Sequence, residues 1–158
     1  MRLTLKTDYA LRVLMYLALH DARRASISEV AHAYEISENH LIKVVHELGR
    51  QGFIETSRGK GGGIRLARPA DQIGIGEVVR AIEDDMALAS CFPSSEPART
   101  CRLTNACALQ GALHRALAAF MAELDQHTLA DMIARPTDPA RILQFVPRDR
   151  IGAADEKA

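Results

Sequence analysis

The chain has 158 residues, 47% of them hydrophobic and 25% charged, with 20 basic and 20 acidic side chains. That is enough apolar material for one packed core, and it excludes both a multi-domain enzyme and a disordered polar chain. No apolar run approaches the roughly 18 residues that span a bilayer, and the opening Met1-Arg2-Leu3-Thr4 lacks the apolar stretch of a secretory signal, so the expectation is a cytoplasmic protein with no membrane role.

The zero net charge hides a split between the halves. Residues 1–68 carry 11 Lys and Arg against 7 Asp and Glu, and the other 90 carry 9 against 13. A basic front on an acidic back suits a polyanion-binding module joined to a regulatory or pairing element.

In chain order, residues 5–20 place Leu5, Tyr9, Val13 and Leu17 at helical spacing, with Thr4 as the cap. Ser26-Ile27-Ser28-Glu29 has the serine and the glutamate three residues later that cap a helix reciprocally, and opens a short one through Tyr34. After the turn Glu35-Ile36-Ser37, a second helix capped by Ser37 buries Leu41, Val44, Val45 and Leu48. Its other face carries Asn39, His40, Lys43 and Arg50. Two helices joined by so short a turn predict a helix-turn-helix.

Residues 53–58 favour a strand, Gly59-Lys60-Gly61-Gly62-Gly63 a turn, and Ile64 to Ala67 a returning strand. The result is a hairpin wing with Arg58, Lys60 and Arg65 about its tip. A phosphate-cradling P-loop has its lysine after the glycines and leads into a helix, so that reading is set aside. The fold class is therefore mainly α with a small β-hairpin wing: a winged helix-turn-helix over residues 1–68.

Residues 68–71 read as a linker, and Gly76 to Asp84 as a short helix turning Val78, Val79 and Ile82 inward. Residues 89–104 read as a loop with Pro93 and Pro97. From Ala106 to Leu124, Leu109, Leu113, Leu117, Phe120, Met121 and Leu124 recur on a helix longer than the small core requires. Thr128 caps a last short helix to Ile133. Residues 69–146 thus form a second region, and residues 147–158 a polar tail expected to be disordered.

Three cysteines stand as Cys91-x9-Cys101-x5-Cys107, within 17 positions of the 158. In a reducing compartment that pattern is open to several readings: an iron–sulfur cluster on three thiolates, a zinc site completed by His114, a redox disulfide with one thiol left over, or simple core packing. A cluster with four protein ligands would need one more, and Glu83, Asp84, Asp85, Glu96 or His114 are near enough in sequence to be considered. Asn39, His40 and Lys43 sit near the start of the second helix of the pair, where side chains meet base edges, and Asn pairs bidentately with adenine.

The segments Met1-Arg2-Leu3-Thr4, Thr7-Asp8-Tyr9-Ala10-Leu11-Arg12, Ile27-Ser28-Glu29-Val30 and Arg58-Gly59-Lys60-Gly61-Gly62-Gly63, followed by three late cysteines, resemble the Rrf2 family of winged-helix regulators, most of all a branch that senses nitric oxide. The Thr128-Leu129-Ala130-Asp131 segment fits the same branch. The resemblance implies a homodimeric repressor, not an enzyme, held on a pseudo-palindromic double-stranded operator. It implies an iron–sulfur cluster, [4Fe-4S] rather than [2Fe-2S], on Cys91, Cys101 and Cys107, with a fourth ligand matching Asp8 from the other subunit. Nitric oxide reacting at that cluster would release the DNA. From the residues alone, Asp8 reads as a helix-start carboxylate paired with Arg12. The family's iron–sulfur-biogenesis branch has a histidine three residues after the last cysteine, where Gln110 stands here. Rival readings are a regulator of the same fold sensing iron or redox state, and a zinc or thiol module without a DNA role.

Overall fold

The computed structural model describes residues 2–59, 61–89, 92 and 107–134. Thr4 caps the first helix, α1 (Leu5–Leu19), its hydroxyl accepting from the Thr7 N–H at 3.3 Å. Ala10, Val13, Leu14, Tyr16 and Leu17 of α1 are buried and form the axis of the core. Leu5, expected in the same stripe, is 59% exposed instead. It lies at the start of the helix, where the other described elements do not cover it.

Helix α2 (Ile27–Tyr34) opens on Ser26, whose hydroxyl accepts from the Glu29 N–H at 3.1 Å, as the capping pattern predicts. It closes on Glu35 in the left-handed conformation, φ 54°. Helix α3 (Glu38–Arg50) follows and buries Leu41, Val44, Val45 and Leu48, the four residues expected. Ser37 precedes α3, but its hydroxyl forms no cap hydrogen bond.

Strands β1 (Ile54–Ser57) and β2 (Gly63–Leu66) pair antiparallel with Ile54 opposite Leu66 and Ser57 opposite Gly63. A further bridge joins Ile64 to Ala25, with Ala25 N–H to Ile64 O at 2.9 Å and Ile64 N–H to Ala25 O at 2.8 Å. The wing is thereby tied to the segment just before α2. Gly63 (φ 140°) is required there, because a Cβ would lie 2.5 Å from the Ala25 carbonyl oxygen.

Residues 68–71 are more than a connection. Arg68 lies over the Phe53 ring, 5.3 Å from its centroid, and pairs with Glu77, and residues 70–72 make one 3₁₀ turn. Helix α4 (Ile75–Ile82) buries Val78, Val79 and Ile82 and stops two residues sooner than expected, where Glu83 turns extended. Helix α5 (Ala108–Leu124) begins after Cys107, and α6 (Leu129–Ala134) is entered through Thr128, whose hydroxyl and N–H both donate to Asp131 at 2.8 Å. Helix α1 packs on α3, α4 and α6, so one hydrophobic core spans both regions of the chain. Among the described residues no helix is long and apolar enough to cross a membrane.

Candidate nucleic-acid interface and metal centre

The short turn and the buried face of α3 leave Asn39, His40, Ile42, Lys43, His46 and Arg50 exposed. Helical geometry puts Asn39, Ile42, Lys43 and His46 in neighbouring rows of the outer face. His40 lies to one side, its ring stacked at 6.4 Å on Tyr9 of α1. Arg50 is drawn to its own helix by Glu47, at 2.8 Å.

The wing cations differ in availability. Arg58 is exposed and forms no ion pair with a described residue. Arg65 pairs across the hairpin with Glu55 at 2.7 Å, and Arg24 approaches the same carboxylate at 3.5 Å. Those two guanidiniums hold the Glu55 carboxyl below its ordinary range, Arg65 contributing most. Lys60 lies outside the described residues. Sequence reasoning passed over Ile42, whose apolar side chain resembles a core residue until its position on the outer face is known.

Of the expected metal ligands, Cys91 and Cys101 lie outside the described residues, and so does Glu96. Cys107 is a free, partly buried thiol immediately before α5. Asp8 is in the first turn of α1, its side chain 42% exposed, with Arg12 Nε at 3.0 Å. Among the described residues no three His, Cys, Asp or Glu side chains gather as a metal site. Phe92, which follows Cys91 in the chain, is buried and stacks on His114 of α5 at 4.2 Å. His114 is two helical turns from Cys107, about 10 Å along the axis.

The nearby carboxylates are committed elsewhere. Glu83 accepts from the Thr4 N–H at 2.7 Å, Asp84 from Lys6 at 2.8 Å, and Asp85 from the Ala87 N–H at 2.8 Å. An anion at the positive end of α1 is favoured by the helix dipole, and it fixes the end of the helix that carries Asp8.

A helix-turn-helix with a polar outer face, followed by a hairpin carrying an exposed arginine, is a winged-helix regulator of transcription. The chain belongs to the Rrf2 family, described as iron-dependent transcriptional regulators, which it matches over residues 3–135. It is 49% identical to the HTH-type transcriptional regulator NsrR of Shouchella clausii over 146 residues, which cover 92% of this chain and 97% of that one. To NsrR of Halalkalibacterium halodurans it is 45% identical over 148 residues, covering 93% and 100%. Among solved structures it is similar to CymR, the global cysteine regulator of B. subtilis, with a TM-score of 0.68 at 25% identity over 85% of this chain and 97% of the other.

Proposed function

We propose that the protein is a homodimeric repressor that carries an iron–sulfur cluster, [4Fe-4S] rather than [2Fe-2S], and leaves a pseudo-palindromic operator when it encounters nitric oxide. In this reading residues 1–68 bind DNA and residues 69–146 hold the cluster and pair the subunits. Asn39, His40 and Lys43 face the bases, while Arg50, Arg58, Lys60 and Arg65 meet the phosphates.

The donor set suits such a cluster. Cys91, Cys101 and Cys107 would supply three thiolates and Asp8 of the partner subunit one carboxylate, the complement of four that such a core takes. The carboxylate is harder than thiolate and held less firmly by iron, so it is the first ligand to yield. The Asp8–Arg12 pair offers little competition, since an exposed ion pair is worth at most about 1 kcal/mol. When bound, the cluster supplies iron with which nitric oxide reacts.

The observation that carries the coupling is the layout of α1, which presents Asp8 to solvent and sets the next residue, Tyr9, against His40 at the start of α3. A carboxylate bound across the dimer would hold α1, and through it α3, in place. Half-site spacing tolerates little error, and losing about 1.4 kcal/mol of that coupling lowers DNA affinity tenfold. Support for pairing comes from α5, where Leu109 is 65% exposed and only Met121 is buried, an apolar surface that a second copy would cover.

The test is an anaerobic gel shift of the brown, iron-loaded protein on operator DNA with graded nitric oxide. Release in step with the gas supports the reading, and an iron-free dimer that holds the operator equally well with or without the gas refutes it. Asp8→Ala and Cys107→Ala should each weaken operator binding without unfolding the protein, because neither side chain belongs to the core. The family's description as iron-dependent favours one second reading, response to iron supply. In that case a chelator would release the DNA and nitric oxide would not.

A further inference from the structure

Helix α3 has one exposed large apolar side chain, Ile42, at 46% exposure. It is not among the apolar residues packed against the core. A lone exposed isoleucine has no significance by itself. Its place gives it one: three residues after Asn39, four before His46 and next to Lys43, on the outer face of the second turn. We propose that Ile42 reads a thymine, its side chain packing against the 5-methyl group in the major groove, as a specificity determinant beside Asn39. The proposal rests on the DNA-binding reading of α3.

Three considerations carry it. Thymine alone among the four bases presents a methyl group in the major groove, so an apolar side chain among polar ones has a single complementary partner there. Isoleucine on a helix holds essentially one χ1 rotamer, so little side-chain freedom is lost when it makes the contact. The surrounding charge also selects the occupant. Lys43 adjoins Ile42 and Arg50 lies two turns beyond, with Glu38 one turn before, so a duplex offers phosphates to the cations and a groove to the isoleucine.

The experiment begins with selection of a preferred duplex from a random-sequence pool by the intact, iron-loaded protein. Each thymine of that duplex is then replaced in turn by uracil, which removes only the methyl group, and affinities are measured for the wild type, Ile42→Ala and Ile42→Val. One thymine per half-site should prove sensitive, its loss weakening wild-type binding about fourfold, the worth of one buried methyl. Ile42→Ala should bind thymine and uracil duplexes alike at that position, Ile42→Val should keep part of the difference, and both should retain the wild-type salt dependence. If no uracil matters, or if its penalty persists undiminished in Ile42→Ala, the assignment of Ile42 is overturned while the DNA reading stands. If selection enriches no sequence, the DNA reading itself fails.

Discussion

The phenol of Tyr16 donates to Glu29 Oε1 at 2.6 Å, joining the last turns of α1 to the first turn of α2. Arg23, from the connection between the two helices, grips the same carboxylate with both amino groups. The Arg23 hydrogen bonds, more than any other cause, bring the Glu29 carboxyl down to about 2, with Tyr16 and the Ser26 backbone assisting and burial opposing. Burial above all, and then Glu29, pushes the Tyr16 phenol up to about 12.

The signs follow from linkage. A depressed carboxyl contributes stability above its unfolded value of about 4.5, lost as pH falls toward 2. A raised phenol contributes below 10, lost as pH rises toward 12. Stability should therefore be flat between about pH 5 and 9 in these terms and fall on either side. Glu29→Gln should cost about 1–2 kcal/mol at neutral pH, reduced from the full shift because Arg23 is half exposed, and should remove much of the acid limb. Thermal melts from pH 3 to 8 would show this, and an unchanged acid limb would refute it.

Two glycines should respond in opposite directions to alanine. Gly63→Ala drives a Cβ into the Ala25 carbonyl at 2.5 Å from a φ of 140°, and neither backbone can yield without breaking the Ala25–Ile64 bridge. A loss of about 2–3 kcal/mol is expected. Gly49, in the last turn of α3, has nothing within 4 Å of its would-be Cβ, and alanine there should add about 0.5–1 kcal/mol. Denaturant titration of both variants checks the pair of signs.

The wing cations should separate by their partners. Arg58→Ala should lower affinity on all sequences and reduce the slope of log K against log salt by about 0.9, the yield of one phosphate contact. Arg65→Ala should change the slope less, because Glu55 already neutralises that guanidinium in the free protein. Asn39→Ala should instead relax the choice of one base pair and leave the slope alone. Titrations across 50–200 mM salt on operator and random duplexes would distinguish these, and equal slopes for the two arginine variants would contradict the pairing.

Anchoring of α1 gives a further expectation. Glu83→Ala removes the acceptor of the Thr4 N–H and an anion from the positive end of the helix, at a cost of about 1 kcal/mol by thermal melt. If Asp8 acts through the placement of α1, the same substitution should also weaken operator binding severalfold, although Glu83 closes α4 and belongs to neither α3 nor the wing.

Periodicity and capping made most of this fold legible from the residues alone. Leu41, Val44, Val45 and Leu48 recur at the helical period, Ser26 stands three before Glu29, and glycines separate two short β-leaning runs. Local rules of this kind depend only on neighbours in sequence. What escaped them depends on neighbours in space. Leu5 and Val13 share one apolar stripe of α1, and only the tertiary packing leaves the first 59% exposed and the second fully buried. Glu83 and Asp84 looked available to a metal until the fold brought α1 against them, and Arg65 looked free until β1 placed Glu55 beside it. The long stripe of α5 was legible as apolar, but among the described residues it touches the body chiefly through α4 and buries only Met121, because spacing along a helix does not determine how much of its stripe meets another element in space.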